Sequence, residues 1–232
     1  MKTIISAAND VYINAARHIK ALLDEKPDAA IAFSVGRSMD GLFAALAAMS
    51  AAGEVSFAAA KVFAVTEFLG APNALTCRAR LEAGLLDKVG VAPENRHFPC
   101  RENFDTYDDE IAAAGGLDMA VLGIGHNGHF GYNEPGTPFD SLTRIQILAP
   151  ATRRQLADTF GGEEKVPEKA VTMGIKTITS ARDIAVLAFG EDKAAAVFEM
   201  LYARDDSVIP AAFLQIPVNV TVYLDEAASS KL

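Results

Sequence analysis

Two side chains in this 232-residue chain stand at a spacing that suits acid–base work: His129 and Glu134, in the run from Val121 to Gly136. Imidazole titrates near neutrality, and a nearby carboxylate orients it and raises its pKa. Asn127 precedes the histidine by two residues, and glycines stand at 123, 125, 128, 131 and 136. A residue without Cβ lets the backbone take positive φ and come close to a ligand. The apolar residues from Met119 to Leu122 lead into these glycines. A strand running into a long Gly-rich loop is a usual place for chemistry on an α/β scaffold. The plain alternative, a wide turn without a task, fits poorly with the length of the loop.

The same loop permits a second reading in which His126, His129 and Glu134 ligate a metal. Nothing gives those three the regular geometry of an HExxH helix, so the acid–base reading is preferred and no metal is expected. Other strand ends carry unusual residues too. Gly36, Arg37 and Ser38 follow one expected strand, Thr66 and Glu67 a second, and Gly190 and Lys193 a late one. Arg37 and Lys193 both fall in the first turn of an expected helix, where the helix dipole disfavours a cation and a bound phosphate would reverse that sign. The Gly-Arg-Ser sequence is neither a Walker A nor a GxGxxG motif, so no nucleotide or other cofactor is implied.

The bulk composition narrows the classes. The chain is 50% hydrophobic and 22% charged with a net charge of −9. That suits one well-packed domain and argues against nucleic acid or an anionic membrane surface as a partner. Cys77 and Cys100 form no CxxC, which suits free thiols in a reducing compartment. Polar residues arrive at Asn9 and Asp10, too early for a signal peptide, and no apolar run is long enough to span a membrane. The expectation is a cytoplasmic protein.

The elements that must position these residues follow from periodicity. A first amphipathic helix runs from Val11 to near Pro27, with Asn9 or Asp10 as N-cap. A buried strand covers Ala29 to Val35, and Met39 to Ala52 is a helix capped by Ser38. Val55 to Phe57 is a short edge element, Lys61 to Val65 a strand, and Leu75 to Val89 a helix. A helix near Phe104 to Ala114 precedes the strand Asp118 to Leu122. Leu142 to Leu148 is extended, Ala151 to Phe160 helical, and Ala170 to Ile175 weakly extended. Asp183 to Phe189 is a strand, Asp192 to Ala203 a helix, Pro210 to Leu214 a short turn or helix, and Val218 to Leu224 a last strand. Apolar strands alternating with helices predict one α/β domain over residues 1–232, with a mainly parallel, Rossmann-like sheet covered on both faces.

Residues 122–136 resemble the signature of the glucosamine-6-phosphate deaminase (isomerase) family, and the Asn-Glu-Pro-Gly ending separates them from the related 6-phosphogluconolactonases. The resemblance extends to 15–19, 53–57, 141–145, 170–174 and the late strand with Lys193. Segments 115–123 and 209–214 are similar to the galactosamine-6-phosphate branch. The resemblance implies conversion of an amino-sugar 6-phosphate to a ketose 6-phosphate with loss of ammonia. It implies that His129 opens the sugar ring and Glu134 tunes it, that Gly123 and Gly125 line the sugar, and that Ser34, Gly36, Arg37, Ser38 and Lys193 hold the phosphate. Members of the family form homo-oligomers as well as monomers.

Departures from that pattern are equally informative. The family's Asp-Glu pair reads Thr66-Glu67, and the missing aspartate is the base that moves a proton between C2 and C1. Glu67 can replace it only if the backbone turns it inward, because neighbours on a strand face opposite ways. Asn127 stands where the glucosamine enzymes carry aspartate, so His129 is expected to be less basic. A phosphate-binding arginine of the family falls on Asp158, leaving Arg37, Arg153 or Arg154 to compensate. Two other readings follow from the missing base: a sugar-phosphate sensor without turnover, and an isomerase or lactonase-like enzyme acting on a non-amino sugar phosphate.

Overall fold

The computed structural model describes residues 1–203 and 209–232. The chain starts with an edge strand, β1 (Lys2–Ile5), and the helix α1 (Ala8–Glu25). Val11, Ala15, Ile19 and Leu23 recur every four residues and are all buried, which places one stripe of α1 against the core. The helix starts earlier than expected: Ala7 is its N-cap, and Asn9 and Asp10 lie within its first turn. β2 (Ala30–Phe33) is buried at every position, as a strand covered on both faces must be. α2 (Arg37–Ala51) is capped by the backbone of Gly36, and Ser38 is already inside the helix.

β3 (Lys61–Ala64) ends just before β4 (Thr66–Leu69) begins, so Thr66 and Glu67 belong to a strand of their own. Segment 55–57 pairs with nothing as a strand and instead buries Val55 and Phe57. The expected helix over 75–89 is segmented: a turn at Asn73–Leu75, α3 (Cys77–Leu81), one π-helical turn at Glu82–Leu86, and α4 (Asp87–Val89). Then come β5 (Arg96–His97), α5 (Tyr107–Ala113), β6 (Met119–Gly123), β7 (Arg144–Ile147) and α6 (Pro150–Phe160). β8 (Lys169–Thr172), α7 (Ile175–Thr179), β9 (Asp183–Ala188), α8 (Ala194–Tyr202) and β10 (Val220–Leu224) complete the order. Lys193 closes a 3₁₀ turn at Glu191–Lys193 and caps α8.

Two sheets result. The larger has the order β1-β10-β9-β6-β2-β3-β5 and is parallel throughout. Its two faces carry separate apolar cores, one built on Ile31, Phe33 and Leu42, the other on Phe63, Leu122 and Val186. The smaller sheet, β4-β8-β7, is antiparallel. It stands at the C-terminal end of β3 and is an addition to the expected architecture. No helix among the described residues is long and apolar enough to cross a membrane.

The chain entering β7 and the chain leaving β8 cross tightly at Gly174, where an added Cβ would lie 2.0 Å from the Ser141 carbonyl oxygen. Backbone cannot yield as a side chain would. Gly174→Ala is expected to destabilise the protein by about 2–3 kcal/mol through overpacking. Thermal unfolding should register this as a fall of roughly 4–12 °C, and an unchanged melting temperature would contradict the crossing described.

Candidate active site

The carboxyl ends of β2, β6 and β9 meet around one cavity of about 520 Å³, the position at which ligands bind in parallel α/β sheets. Ser34 to Ser38 leave β2, Gly123 to His126 leave β6, and Ala188 and Phe189 leave β9, all lining the cavity. Thr66 and Phe68 enter from β4, and Thr152, Gln155 and Thr159 from one face of α6.

Loop 123–136 is held by the small sheet. Asn133 is fully buried; its amide donates to the carbonyls of Phe130 (3.1 Å) and Met173 (2.9 Å), and its Oδ1 accepts from Arg144 of β7 at 2.9 Å. Thr172 Oγ1 accepts from Tyr132 N at 3.0 Å. Gly131, at φ +56°, has room for no Cβ, because Thr172 Oγ1 would lie 2.8 Å away. Gly125 lies directly under the His129 ring, where an added Cβ would fall 2.3 Å from Cε1.

His129, Asn127 and Glu134 form a directional chain. His129 Nδ1 is 2.7 Å from Asn127 Oδ1, and Asn127 Nδ2 donates to Glu134 Oε2 at 2.8 Å. The other carboxylate oxygen accepts from Thr152 Oγ1. A carboxylate only accepts, so the Asn127 amide nitrogen must face it and the amide oxygen must face the ring. Nδ1 therefore carries the proton, and Nε2 offers a lone pair towards the cavity. The direct His129–Glu134 separation is 3.7 Å, too long for a hydrogen bond, so Glu134 acts on the ring through Asn127. Burial holds the His129 imidazole below its ordinary pKa; Glu134 pulls it up, and Lys193 and His126 push it down.

Thr66 and Glu67 part company. The Thr66 side chain lines the cavity, 3.5 Å from Cys77 Sγ. Glu67 points the other way, and its carboxylate accepts the backbone N–H groups of Phe68 (2.7 Å), Cys77 (2.9 Å) and Arg78 (2.8 Å). Burial raises its pKa against those three donors. Glu67 thus caps the start of α3, and the backbone irregularity that would bring it into the cavity is not there. The Cys77 thiol is pushed by burial up to about 12 and stays protonated.

Among the described residues the cavity wall carries three cations, Arg37, Arg80 and Lys193, against one carboxylate, Asp192. Asp192 is engaged, 2.5 Å from His126 Nε2 and 3.4 Å from Lys193 Nζ. Burial lowers the Lys193 pKa, Asp192 partly restores it, and Arg37 pushes it down further. Ser34 Oγ is buried with no hydrogen-bond partner among the described residues. Ser38 Oγ sits where a Cβ on Gly123 would fall, 2.8 Å away. Asp158 is exposed, Arg154 is exposed, and Arg153 donates to the Glu163 carbonyl at 3.0 Å; none of the three lines the cavity. Arg80, on α3 and 3.6 Å from Asp40, is the cation that sequence reasoning missed. Its signal was the helical spacing from Cys77, which puts both on one face. Among the described residues no group of three His, Cys, Asp or Glu side chains is placed to hold a metal.

With this geometry in hand, comparison with known proteins is specific. Residues 5–223 match the family described as glucosamine-6-phosphate isomerases/6-phosphogluconolactonase. The chain belongs to that family. It is 37% identical over 237 residues to a glucosamine-6-phosphate deaminase of Pseudarthrobacter chlorophenolicus, covering 99% of this chain and 91% of that one. It is 38% identical over 218 residues to the corresponding deaminase of Hahella chejuensis, covering 91% and 84%. A solved monomeric glucosamine-6-phosphate deaminase superposes with a TM-score of 0.97 at 29% identity over the whole of both chains. A 6-phosphogluconolactonase from Leishmania guyanensis shares the fold, with a TM-score of 0.78 at 18% identity over 100% of this chain and 98% of that one.

The hydrogen-bond polarity is open to direct measurement. Nitrogen-15 NMR of the His129 ring should show the Nδ1-protonated tautomer at neutral pH, titrating below the ordinary histidine value of about 6.5. Asn127→Asp should raise that midpoint by about one unit, since a carboxylate against Nδ1 favours imidazolium. An Nε2-protonated ring, or a wild-type midpoint above the ordinary value, would contradict the chain of donors.

Proposed function

We propose that the protein is an isomerising deaminase of hexosamine 6-phosphates, yielding a ketose 6-phosphate and ammonia. The observation that carries this reading is the His129–Asn127–Glu134 chain, presenting Nε2 to a cavity that Arg37, Arg80 and Lys193 also line. The phosphate goes to the start of α2, where free N–H groups and the helix dipole favour an anion. Arg37 and Lys193 flank it there, and the unpartnered Ser34 hydroxyl supplies a donor. A phosphate also removes the mutual repulsion of those two cations. The glycines at 123 and 125 let the sugar lie against backbone. His129 Nε2 takes the proton from the anomeric hydroxyl and returns it to the ring oxygen as the C1–O5 bond breaks. Both C4 epimers are proposed as substrates, since Asn127 and segments 115–123 and 209–214 are similar to the galactosamine branch. The free thiols Cys77 and Cys100 suit the cytoplasm as the place of work.

Isomerisation then requires the C2 proton to reach C1. Thr66 occupies the place of the resembled family's base, and a neutral hydroxyl cannot accept that proton unaided. We therefore place the slow step there. Ammonia release from glucosamine 6-phosphate and galactosamine 6-phosphate tests the reading. Thr66→Asp should raise the rate by about 10²-fold or more, the usual scale of a positioned base. No ammonia from wild type or variant, with thermal stabilisation by either sugar phosphate, would mean binding without deamination. Gly125→Ala tests the placement of the ring. Displacing His129 by about an ångström should lower kcat/KM roughly 10²-fold while leaving the fold intact by circular dichroism. Full activity in that variant would sink the assignment of His129.

A further inference from the structure

We propose that the protein is also a mutarotase for hexose 6-phosphates, interconverting the α and β anomers of sugars that carry a hydroxyl at C2. The inference rests on the ring-opening part of the reading above, and not on the loss of ammonia.

Two independent features of the cavity support it. The first is that, among the described residues, its acid–base equipment is complete for one step and lacks a positioned base for the next. Among the described residues the only carboxylate lining it is Asp192, held between His126 and Lys193. The Cys77 thiol is protonated, Glu67 is turned into the start of α3, and Thr66 offers only a hydroxyl. Of the two histidines that line the cavity, His126 is exposed and held at Nε2 by Asp192, and His129 is the enclosed one with Nε2 free. Hemiacetal opening needs no more than this. O1 and O5 are bonded to the same carbon, so one nitrogen reaches both. Nε2 accepts the O1 proton, the O1–C1 bond becomes a carbonyl, the C1–O5 bond breaks, and O5 takes the proton back from Nε2. Rotation about C1–C2 presents the other carbonyl face. O5 adds to it, its proton returns through Nε2 to O1, and the opposite anomer forms. Nothing is oxidised or reduced, and no atom is lost.

The second feature is what the cavity does not select. A C2 ammonium would be recognised by a free carboxylate, and Asp192 is already engaged by His126 and Lys193. The phosphate end is strongly marked by Arg37, Lys193 and the start of α2. Specificity therefore lies in the phosphate and in an openable ring, and a C2 hydroxyl is admitted with a C2 amine.

Exchange NMR between the H1 signals of α- and β-glucose 6-phosphate in D₂O reads the activity directly. With the protein at micromolar concentration, anomer exchange should rise above the protein-free rate at the same pH and phosphate. It should fall by about 10²-fold or more in His129→Gln, the scale of general acid–base catalysis. The H2 signal should persist through many anomer cycles, because removal of that proton is the slow step. Glucose without phosphate should show no acceleration. Should His129→Gln fail to fold, the wild-type comparison between glucose 6-phosphate and glucose still decides the case. Exchange no faster than in buffer would overturn the proposal, and so would deuterium entering C2 as fast as the anomers exchange. Ammonia assays on the amino sugars are independent: anomer exchange without ammonia would sink the deaminase reading alone, and ammonia without exchange on glucose 6-phosphate would sink this one alone.

Discussion

The site depends on one constraint: a carboxylate can only accept hydrogen bonds. Glu134 is buried beneath loop 123–136 and takes its donors from Asn127 and Thr152. That fixes which way the Asn127 amide faces, which fixes the proton on His129 Nδ1, which leaves Nε2 as a base. Three side chains become one polar device, and each orientation follows from the one behind it. Burial acts on the same device by keeping the imidazole neutral, the form in which Nε2 can accept a proton. The cations of the cavity add to that effect, since Lys193 opposes an imidazolium. The charge of Lys193 thus acts on the base strength of His129.

The small antiparallel sheet acquires its purpose from this device. A Gly-rich loop of this length would sample many conformations without restraint. Arg144 of β7, Thr172 of β8 and the buried amide of Asn133 remove that freedom at three points. The same sheet brings Thr66 of β4 to the cavity and, by strand alternation, turns Glu67 away from it. The sheet that steadies His129, Asn127 and Glu134 therefore also decides that the neighbouring acidic residue is structural.

Much of this was legible in the sequence. The parallel sheet followed from uninterrupted apolar runs at 30–33, 119–122 and 184–188, which only a strand buried on both faces tolerates. Glycine spacing marked the loop, and Arg37 and Lys193 marked a cationic end of the cavity. The missing parts are those that periodicity does not encode. β1 leaves three of its four residues exposed, so nothing apolar announces it. β4 begins two residues after β3 ends and is hidden in the same run; β7 lies within the extended stretch expected at 142–148, but nothing local announces its pairing with β8. The place of Asn127 between His129 and Glu134 needs the path of the backbone through Gly128 and Gly131. Arg80 and the polar face of α6 were legible only as helix stripes, and neither stripe declares which way it faces until the sheets are assembled.

Central to all of this is one sugar phosphate spanning the cavity, with its phosphate at the start of α2 and its anomeric carbon at His129. A crystal structure of the protein with a hexosamine 6-phosphate, or with its reduced open-chain analogue, tests that placement most directly. The phosphate is expected against the α2 N-terminus between Arg37 and Lys193, with the C1 oxygen within hydrogen-bond distance of His129 Nε2. A phosphate bound elsewhere, or a sugar whose C1 lies away from the histidine, would contradict it.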